Sequence, residues 1–416
     1  MNQMLATVHK LITNASNNIG LTSAEIQKLL EPDHVHRGKI YIKMDDGHEK
    51  EFDAFRIQHN NKLGPYKGGI RFHPKVDDNE VKALATIMSL KCALSNLPLG
   101  GGKGGVAVDP KELSETELQR LSRAYVDLMY SYIGVNKDIP APDVNTNPKI
   151  MSWMVDEYLY LHHKNEPKAQ MKDIQLKGTF TGKDVIDGGT LGRVEATGRG
   201  GVYVLLRLLK ALNIGNDISI AVQGFGNVGY YFALLAQEAG CRVVAISDSK
   251  TAILADDFKK GIDIIKAKAH KEKTGSLSGF SGTTVISNEH VLELPVEVLV
   301  PSALENVIHK NNADKVKAKI VVSMANGPIT FEAYEVLGKN NVIVVPDVLA
   351  NAGGVIVSYL EWYQNLHDQK WSEERVNVKL KELITAAFDD IWALSRENEI
   401  DLTIAAYQIA IEKITK

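Results

Sequence analysis

The sequence predicts an α/β protein in two parts, an N-terminal α+β half followed by a half built on a parallel sheet. Three observations predict it. The 416 residues exceed the ~250–300 at which a single hydrophobic core usually stops growing. From residue 217 onward, short apolar runs alternate with helical stretches, the pattern of strands joined by crossover helices. Between the halves, the segment from about 164 to 190, KNEPKAQMKDIQLKGTFTGKDVIDGGT, is polar, contains glycine and lacks periodicity, which suits a boundary.

Within the first 60 or so residues, helical stretches give way to KIYIKMDD, where Ile40, Ile42 and Met44 alternate as in a half-buried strand; EFDAFRIQHN reads as its neighbour. From Asp78 to Leu94, the residues Val81, Leu84, Ile87, Met88 and Leu94 recur at helical spacing. The stretch SETELQRLSRAYVDLMYSYI predicts a second helix, with Ser114 as N-cap and Glu117 completing a capping box. Beyond the boundary, DISIAVQ, RVVAIS, VEVLV, KIVVSMA and NVIVVP are the expected strands, and a helix runs to Ala239 between the first two. After Trp371, Ser372 and two glutamates open a long amphipathic helix with Val376, Leu380, Leu383, Ile384, Phe388, Ile391 and Leu394 along one face.

Bulk properties narrow the function. Lys plus Arg (48) nearly balance Asp plus Glu (51), and a net charge of −3 offers no electrostatic footprint for a nucleic acid. Cys92 and Cys241 lie in neither a CxxC nor a Cys/His cluster, so no disulfide framework and no metal site are expected. The N-terminus has no basic stretch leading into an apolar one, and nowhere do ~18 apolar residues run uninterrupted. A soluble, cytoplasmic protein working on small molecules, without a membrane partner, is expected.

One motif points to a dinucleotide. In SIAVQGFGNVGYYFALLAQEAG, Gly224, Gly226 and Gly229 stand in GxGxxG order between a predicted strand and a predicted helix. The first glycine permits the tight turn, the second lets a pyrophosphate approach the backbone, and the third lets helix and strand pack closely; the helix N-terminus supplies N–H groups to the anion. RVVAIS then ends at Asp248, where a carboxylate can accept hydrogen bonds from ribose hydroxyls and favour NAD. Ser249 and Lys250 beside it leave NADP open. The alternative is a tight structural turn followed by a surface aspartate.

Three lysines form the second signal. Lys91 falls on the apolar stripe of its helix with Leu84, Ile87 and Met88, where it must snorkel out or meet an anion. Lys67 in KLGPYKGGIRFHP and Lys103 in NLPLGGGKGGVAVDP are crowded by glycines. If the three converge, their mutual repulsion lowers lysine pKa values and makes an ammonium usable in proton transfer, while a dicarboxylate satisfies the others. Separate, solvated lysines are the alternative. A triphosphate-binding loop is excluded for the run around Lys103, since Gly104, Gly105 and Val106 follow it where a Ser or Thr is needed for magnesium. Finally, Pro140, Pro142 and Pro148 stiffen the loop around Asp143, which suits a proton-transfer group and equally a turn or helix cap.

Taken together, GPYKGGIRFHP, SLKCALSNLPLGGGKGG, PAPDVNTNPKIMSWMVDEY, LGRVEATGRG, VQGFGNVG, MANGPIT and NAGGVIVSYLEW resemble the glutamate, leucine, phenylalanine and valine dehydrogenase superfamily, and among its members the glutamate dehydrogenases, from about residue 30 to the C-terminus. The resemblance implies a substrate-binding and oligomerisation domain at 1–184, completed by 351–416 as C-terminal helices return to it, and a Rossmann-type dinucleotide-binding domain at 185–350. It implies Lys103 as the catalytic lysine, Asp143 as the proton-handling aspartate, Lys91 for the substrate α-carboxylate, Lys67 with Ser358 for a side-chain carboxylate, and Met88 and Asn351 beside the substrate. Thr197, Asn227, Val228, Asp248, Asn326 and Asn351 match dinucleotide-contacting positions. The implied reaction is the reversible oxidative deamination of L-glutamate to 2-oxoglutarate and ammonia with NAD or NADP, in a homohexamer. Relatives acting on leucine, valine or phenylalanine carry apolar residues in place of Lys67 and Ser358, because an apolar substrate would leave a buried ammonium unpaired. One departure stands beside the cofactor positions: Ser323 and Met324 replace the acid and glycine that many relatives have in EGANGP.

Overall fold

The computed structural model describes residues 3–168 and 170–416, which form two sheets with helices packed on their faces. The first sheet contains β1 (His34–Lys43), β2 (Glu49–Asn60), β3 (Tyr66–Phe72), β4 (Gly101–Val106) and β5 (Asp138–Pro142), in the order β1-β2-β4-β3-β5. The predicted alternation in KIYIKMDD is present: Ile40 and Ile42 are buried and their neighbours on β1 exposed. β1, β2 and β4 pair antiparallel, whereas β3 pairs parallel with β4 and β5. A parallel pair needs a crossover, and the helix Asp78–Leu94 supplies it between β3 and β4. Its N-cap is Asp77, which accepts from Glu80 N. The opposite face is covered by the helices Glu115–Met129 and Pro148–Asn165, whose Leu121, Tyr125, Met151 and Met154 join Phe52, Ile70 and Val106 in one core. The Ser114–Glu117 capping box forms as expected, but the helix ends at Met129, short of the predicted extent.

The second sheet has the order β12-β11-β10-β6-β7-β8-β9, with β6 (Ser219–Gln223), β7 (Arg242–Ser247), β8 (Ala252–Ala255), β9 (Thr283–Ile286), β10 (Val298–Pro301), β11 (Ile320–Val322) and β12 (Ile343–Val345). Strands β12, β11, β10, β6 and β7 are parallel. The pair β8 and β9 adds an antiparallel edge that periodicity does not reveal, each being only four residues long. The strand order reverses at β6, so a crevice opens beyond the ends of β6 and β10, where ligands bind in such sheets.

The predicted helix after Trp371 is Glu373–Glu397, with Ser372 as N-cap. It packs on the helix Ala196–Ala211, which leads into the second sheet, so it is not itself the element that returns to the first half. That return is made by the helix Leu402–Thr415, lying against Asp78–Leu94 and Gln3–Asn18. The helix Gly353–Leu366 touches both Ala196–Ala211 and the 173–179 segment. Among the described residues, no helix is long and apolar enough to cross a membrane, and no group of His, Cys, Asp or Glu is arranged to hold a metal ion.

Candidate active site

The glycine-rich run around Lys103 is β4, an interior strand and not a loop. Its glycines permit close packing, Gly101 against helix backbone, Gly104 against the Tyr125 hydroxyl and Gly105 against Val76. A Cβ at Gly101 would collide with the backbone N of Ser89 on the crossover helix, and one at Gly68 on β3 would collide with the carbonyl of Gly102. The close approach sets Lys67 on β3, Lys103 on β4 and Met88 and Lys91 on the crossover helix around one cavity of about 120 Å³, which Asp143, Asn326, Asn351 and Ser358 also line. All the residues expected at the substrate are therefore brought together. Behind the strands, Arg56 is fully buried, pairs with Asp138 through two nitrogens and donates from Nη1 to Gly68 O at 3.0 Å.

Asp143 follows β5 and is not the cap of the next helix; Asn147 holds that place, accepting from Ile150 N at 3.0 Å. The Asp143 backbone N–H donates to Thr146 Oγ1 at 2.7 Å, which fixes the loop. Its carboxylate lies between two cations, Lys103 Nζ at 3.0 Å and Arg71 Nε at 2.8 Å. Lys91 Nζ donates to Asn326 Oδ1 at 2.6 Å, and Asn351 Nδ2 donates to the same oxygen at 3.0 Å.

Burial, more than repulsion among the lysines, perturbs these groups. Lys67 is 1% exposed, and loss of water pushes its ammonium down to about 7, with Arg193 and Arg56 adding to the effect. Lys91 falls to about 8 by burial and by Lys103, against the pull of Asp347. Lys103 is lowered by burial and Arg71, although Asp143 opposes the shift. For Asp143, burial disfavours the charge, but Lys103 and Arg71 outweigh it and hold the carboxyl well below the usual range. The cations contributed by arginine were not singled out in the sequence. Arg71 sits four residues after Lys67 on the same strand, a legible spacing; Arg193 comes just after the aperiodic segment and is partly buried, with a buried Nε that lacks a hydrogen-bond partner.

A second cleft, sharing Lys91, Asp143, Arg193, Asn326 and Asn351 with the first cavity, continues to Thr197 and Val228 at the crevice of the second sheet. Its geometry fits a dinucleotide. The helix Asn227–Glu238 has Gly226 at its N-cap, with no side chain capping its first N–H groups, and a Cβ at Gly226 would meet only open space. A Cβ at Gly229 would collide with Gly224 O, so helix and strand meet there as the glycine spacing predicts. Gly224 has φ +99°, in the region that favours glycine. Asn227 Nδ2 donates to Val194 O at 2.8 Å, bracing the loop to the segment before Thr197.

The acid at the end of β7 is more committed than its sequence position suggests. Asp248 Oδ1 accepts from the backbone of Lys250 at 2.8 Å and of Thr251 at 3.0 Å, while Oδ2 faces Lys271 Nζ at 3.2 Å. Lys250, the cation considered beside the ribose, turns instead to Gly275 O at 3.0 Å, and Ser249 is exposed. Lys271, on the helix Ile264–Thr274, takes its place beside Asp248 and also donates to Phe225 O at 3.2 Å. At the departure from EGANGP, Met324 is buried against Gly201, whose missing side chain leaves room for it, and the buried Ser323 Oγ has no hydrogen-bond partner.

Known proteins agree with this geometry. The family profile Glu/Leu/Phe/Val dehydrogenase, dimerisation domain, matches residues 32–160, and Glutamate/Leucine/Phenylalanine/Valine dehydrogenase matches residues 188–416. The NAD-specific glutamate dehydrogenase of Staphylococcus aureus is 42% identical over 99% of this chain and 96% of its own. The crystal structure of glutamate dehydrogenase from Peptoniphilus asaccharolyticus superposes with a TM-score of 0.84 at 40% identity, covering 100% of this chain and 98% of that one. The hetero-hexameric glutamate dehydrogenase of Thermus thermophilus, in a leucine-bound form, gives a TM-score of 0.91 at 33% identity over 99% of this chain and 95% of that one. With both halves matched in order and relatives aligned along nearly its whole length, the chain belongs to the glutamate/leucine/phenylalanine/valine dehydrogenase family.

Proposed function

We propose that the protein catalyses the reversible oxidative deamination of L-glutamate to 2-oxoglutarate and ammonia. The observation that carries the substrate choice is the pairing of Lys67 with Ser358 in one buried cavity, 1% and 2% exposed, where an apolar amino acid would leave the ammonium without a counter-ion. Lys67 and Ser358 hold the side-chain carboxylate and Lys91 the α-carboxylate, releasing its bond to Asn326; Met88 and Asn351 line the same space. A nicotinamide dinucleotide bound at Gly224–Gly229, Thr197, Val228, Asn326 and Asn351 supplies the acceptor for the hydride that leaves the substrate α-carbon. Asp143, 3.0 Å from Lys103, relays the proton that leaves the amine out to solvent, so that Lys103 is neutral when the imine forms. Lys103, its pKa lowered by burial, then removes a proton from the water that attacks the imine carbon and returns it to the departing ammonia.

NAD is the favoured cofactor, as for the NAD-specific Staphylococcus aureus relative, and Lys271 leaves room for NADP. The domains at 1–184 with 351–416 and at 185–350, the homohexamer and the cytoplasmic setting belong to the same reading; both cysteines are buried free thiols, as a reducing compartment allows. The test is Lys103→Ala and Asp143→Ser, each expected to lower turnover with glutamate by two orders of magnitude or more while NAD binding, read by fluorescence titration, persists. Near-normal turnover in either variant overturns the assignment. Cofactor binding by the parent protein without any amino-acid-dependent reduction would favour a sensor that kept the fold.

A further inference from the structure

Ser358 lies on the helix Gly353–Leu366, and one turn further along stands Glu361, a carboxylate with 0% side-chain exposure that the reaction above does not use. Its Oε2 accepts from the backbone N of Gly182 at 2.8 Å. Its Oε1 meets Lys183 Nζ at 2.7 Å and the Lys183 backbone N at 3.4 Å. Lys183, equally buried, spends its remaining donors on Phe180 O and on Asn365 Oδ1 at 3.0 Å. One carboxylate thus gathers the donors of the turn at 181–183.

The other side of that turn rests on β5. Thr181 N donates to Pro140 O at 3.0 Å, and Gly182, at φ +76°, sits where a Cβ would lie 2.5 Å from Pro142 Cδ. Pro142 immediately precedes Asp143. From the helix of Ser358 to the carboxylate beside Lys103 there is therefore a continuous stack: Glu361, the turn, Pro142, Asp143. Stability does not account for the buried pair, since two charges removed from water are often replaced by apolar side chains at no loss. An apolar side chain, however, cannot accept the Gly182 N–H, and a hydrogen bond to an ionised acceptor is the stronger kind that fixes a backbone in one place. Glu361 also favours the charged forms of Lys67 and Arg193 across the helix.

We propose that Glu361 is a positioning residue: it locks the 181–183 turn against the helix of Ser358 and so keeps Asp143 in register with Lys103 and with the bound side-chain carboxylate. The proposal rests on the roles given above to Asp143 and Ser358. Two variants test it. Lys183→Met/Glu361→Leu removes both buried charges together with the acceptor, and Gly182→Ala presses the turn against Pro142 with Glu361 intact. In whichever variant folds, kcat with glutamate should fall at least tenfold while KM for NAD stays within twofold, and hydrogen exchange over 138–146 should accelerate relative to the rest of the chain. A folded variant with kcat within twofold of the parent and unchanged exchange over 138–146 overturns the proposal. The exchange measurement needs no substrate. A parent protein inactive on glutamate would therefore sink the functional reading while the positioning claim was still decided by exchange.

Discussion

Replacing Lys67 by Met tests the burial argument through stability before any turnover is measured. The ammonium has a folded pKa of about 7 against an ordinary 10.5, and burial is the chief cause. Below pH 7 the side chain is charged in both states, and the folded protein carries the whole cost of the buried charge. Between 7 and 10.5 the unfolded chain binds the extra proton, so the parent gains stability as pH rises through that window, and above 10.5 the cost is gone. At about 1.4 kcal/mol per tenfold, the gap sets an upper bound of about 5 kcal/mol. Relaxation around the lysine leaves about 2–3 kcal/mol for a methionine of similar volume to recover. Thermal midpoints at one scan rate, taken for parent and variant from pH 6 to pH 10 without substrate, are the assay. Lys67→Met should melt several degrees higher at pH 6, the gap closing towards pH 10, and its kcat/KM for glutamate should fall at least a hundredfold. A gap that does not change with pH, or a parent that is the more stable at pH 6, refutes the reasoning.

Two further predictions follow from contacts outside the lysine cluster. Lys271→Ala should raise KM for NADP about tenfold, corresponding to about 1.4 kcal/mol, and change KM for NAD by less than twofold, because its ammonium stands 3.2 Å from Asp248, the acid expected at the ribose hydroxyls; equal effects on both cofactors would remove Lys271 from that role. Gly201→Val should destabilise by about 1–3 kcal/mol through collision with Met324, and Gly201→Val/Met324→Gly should recover most of the loss in urea unfolding. Additive losses in the double variant would show that the two positions do not share that space.

Local chemistry was legible in the chain where it is written in neighbouring residues. The apolar spacing from Val81 to Leu94, the Ser114–Glu117 box and the strand–glycine–helix order at Gly224–Gly229 each depend on contacts within a few residues, and each is present as read. The lysine on an apolar stripe, Lys91, did mark the cavity. What the sequence hid depends on distant partners. Glycine has no strand propensity, so nothing local marks the run around Lys103 as a strand; it is β4 because it pairs with β2 and β3, and Ser89 leaves space only for hydrogen at Gly101. Lys271 reaches Asp248 from the helix Ile264–Thr274, a contact that no local pattern carries. The lowered lysine pKa values were anticipated, but their main cause is burial, with Arg56, Arg71 and Arg193 more prominent than the lysines themselves around Lys67 and Lys103.

The central claim is that buried Lys67 and Ser358 select an acidic side chain. Initial rates with glutamate, leucine, valine and phenylalanine, each with NAD and with NADP, test it most directly. An unpaired buried ammonium costs several kcal/mol, so kcat/KM for glutamate should exceed that for leucine by about 10³ or more, a difference of about 4 kcal/mol, with NAD the better cofactor. Leucine turned over as well as glutamate, with either cofactor, would contradict it.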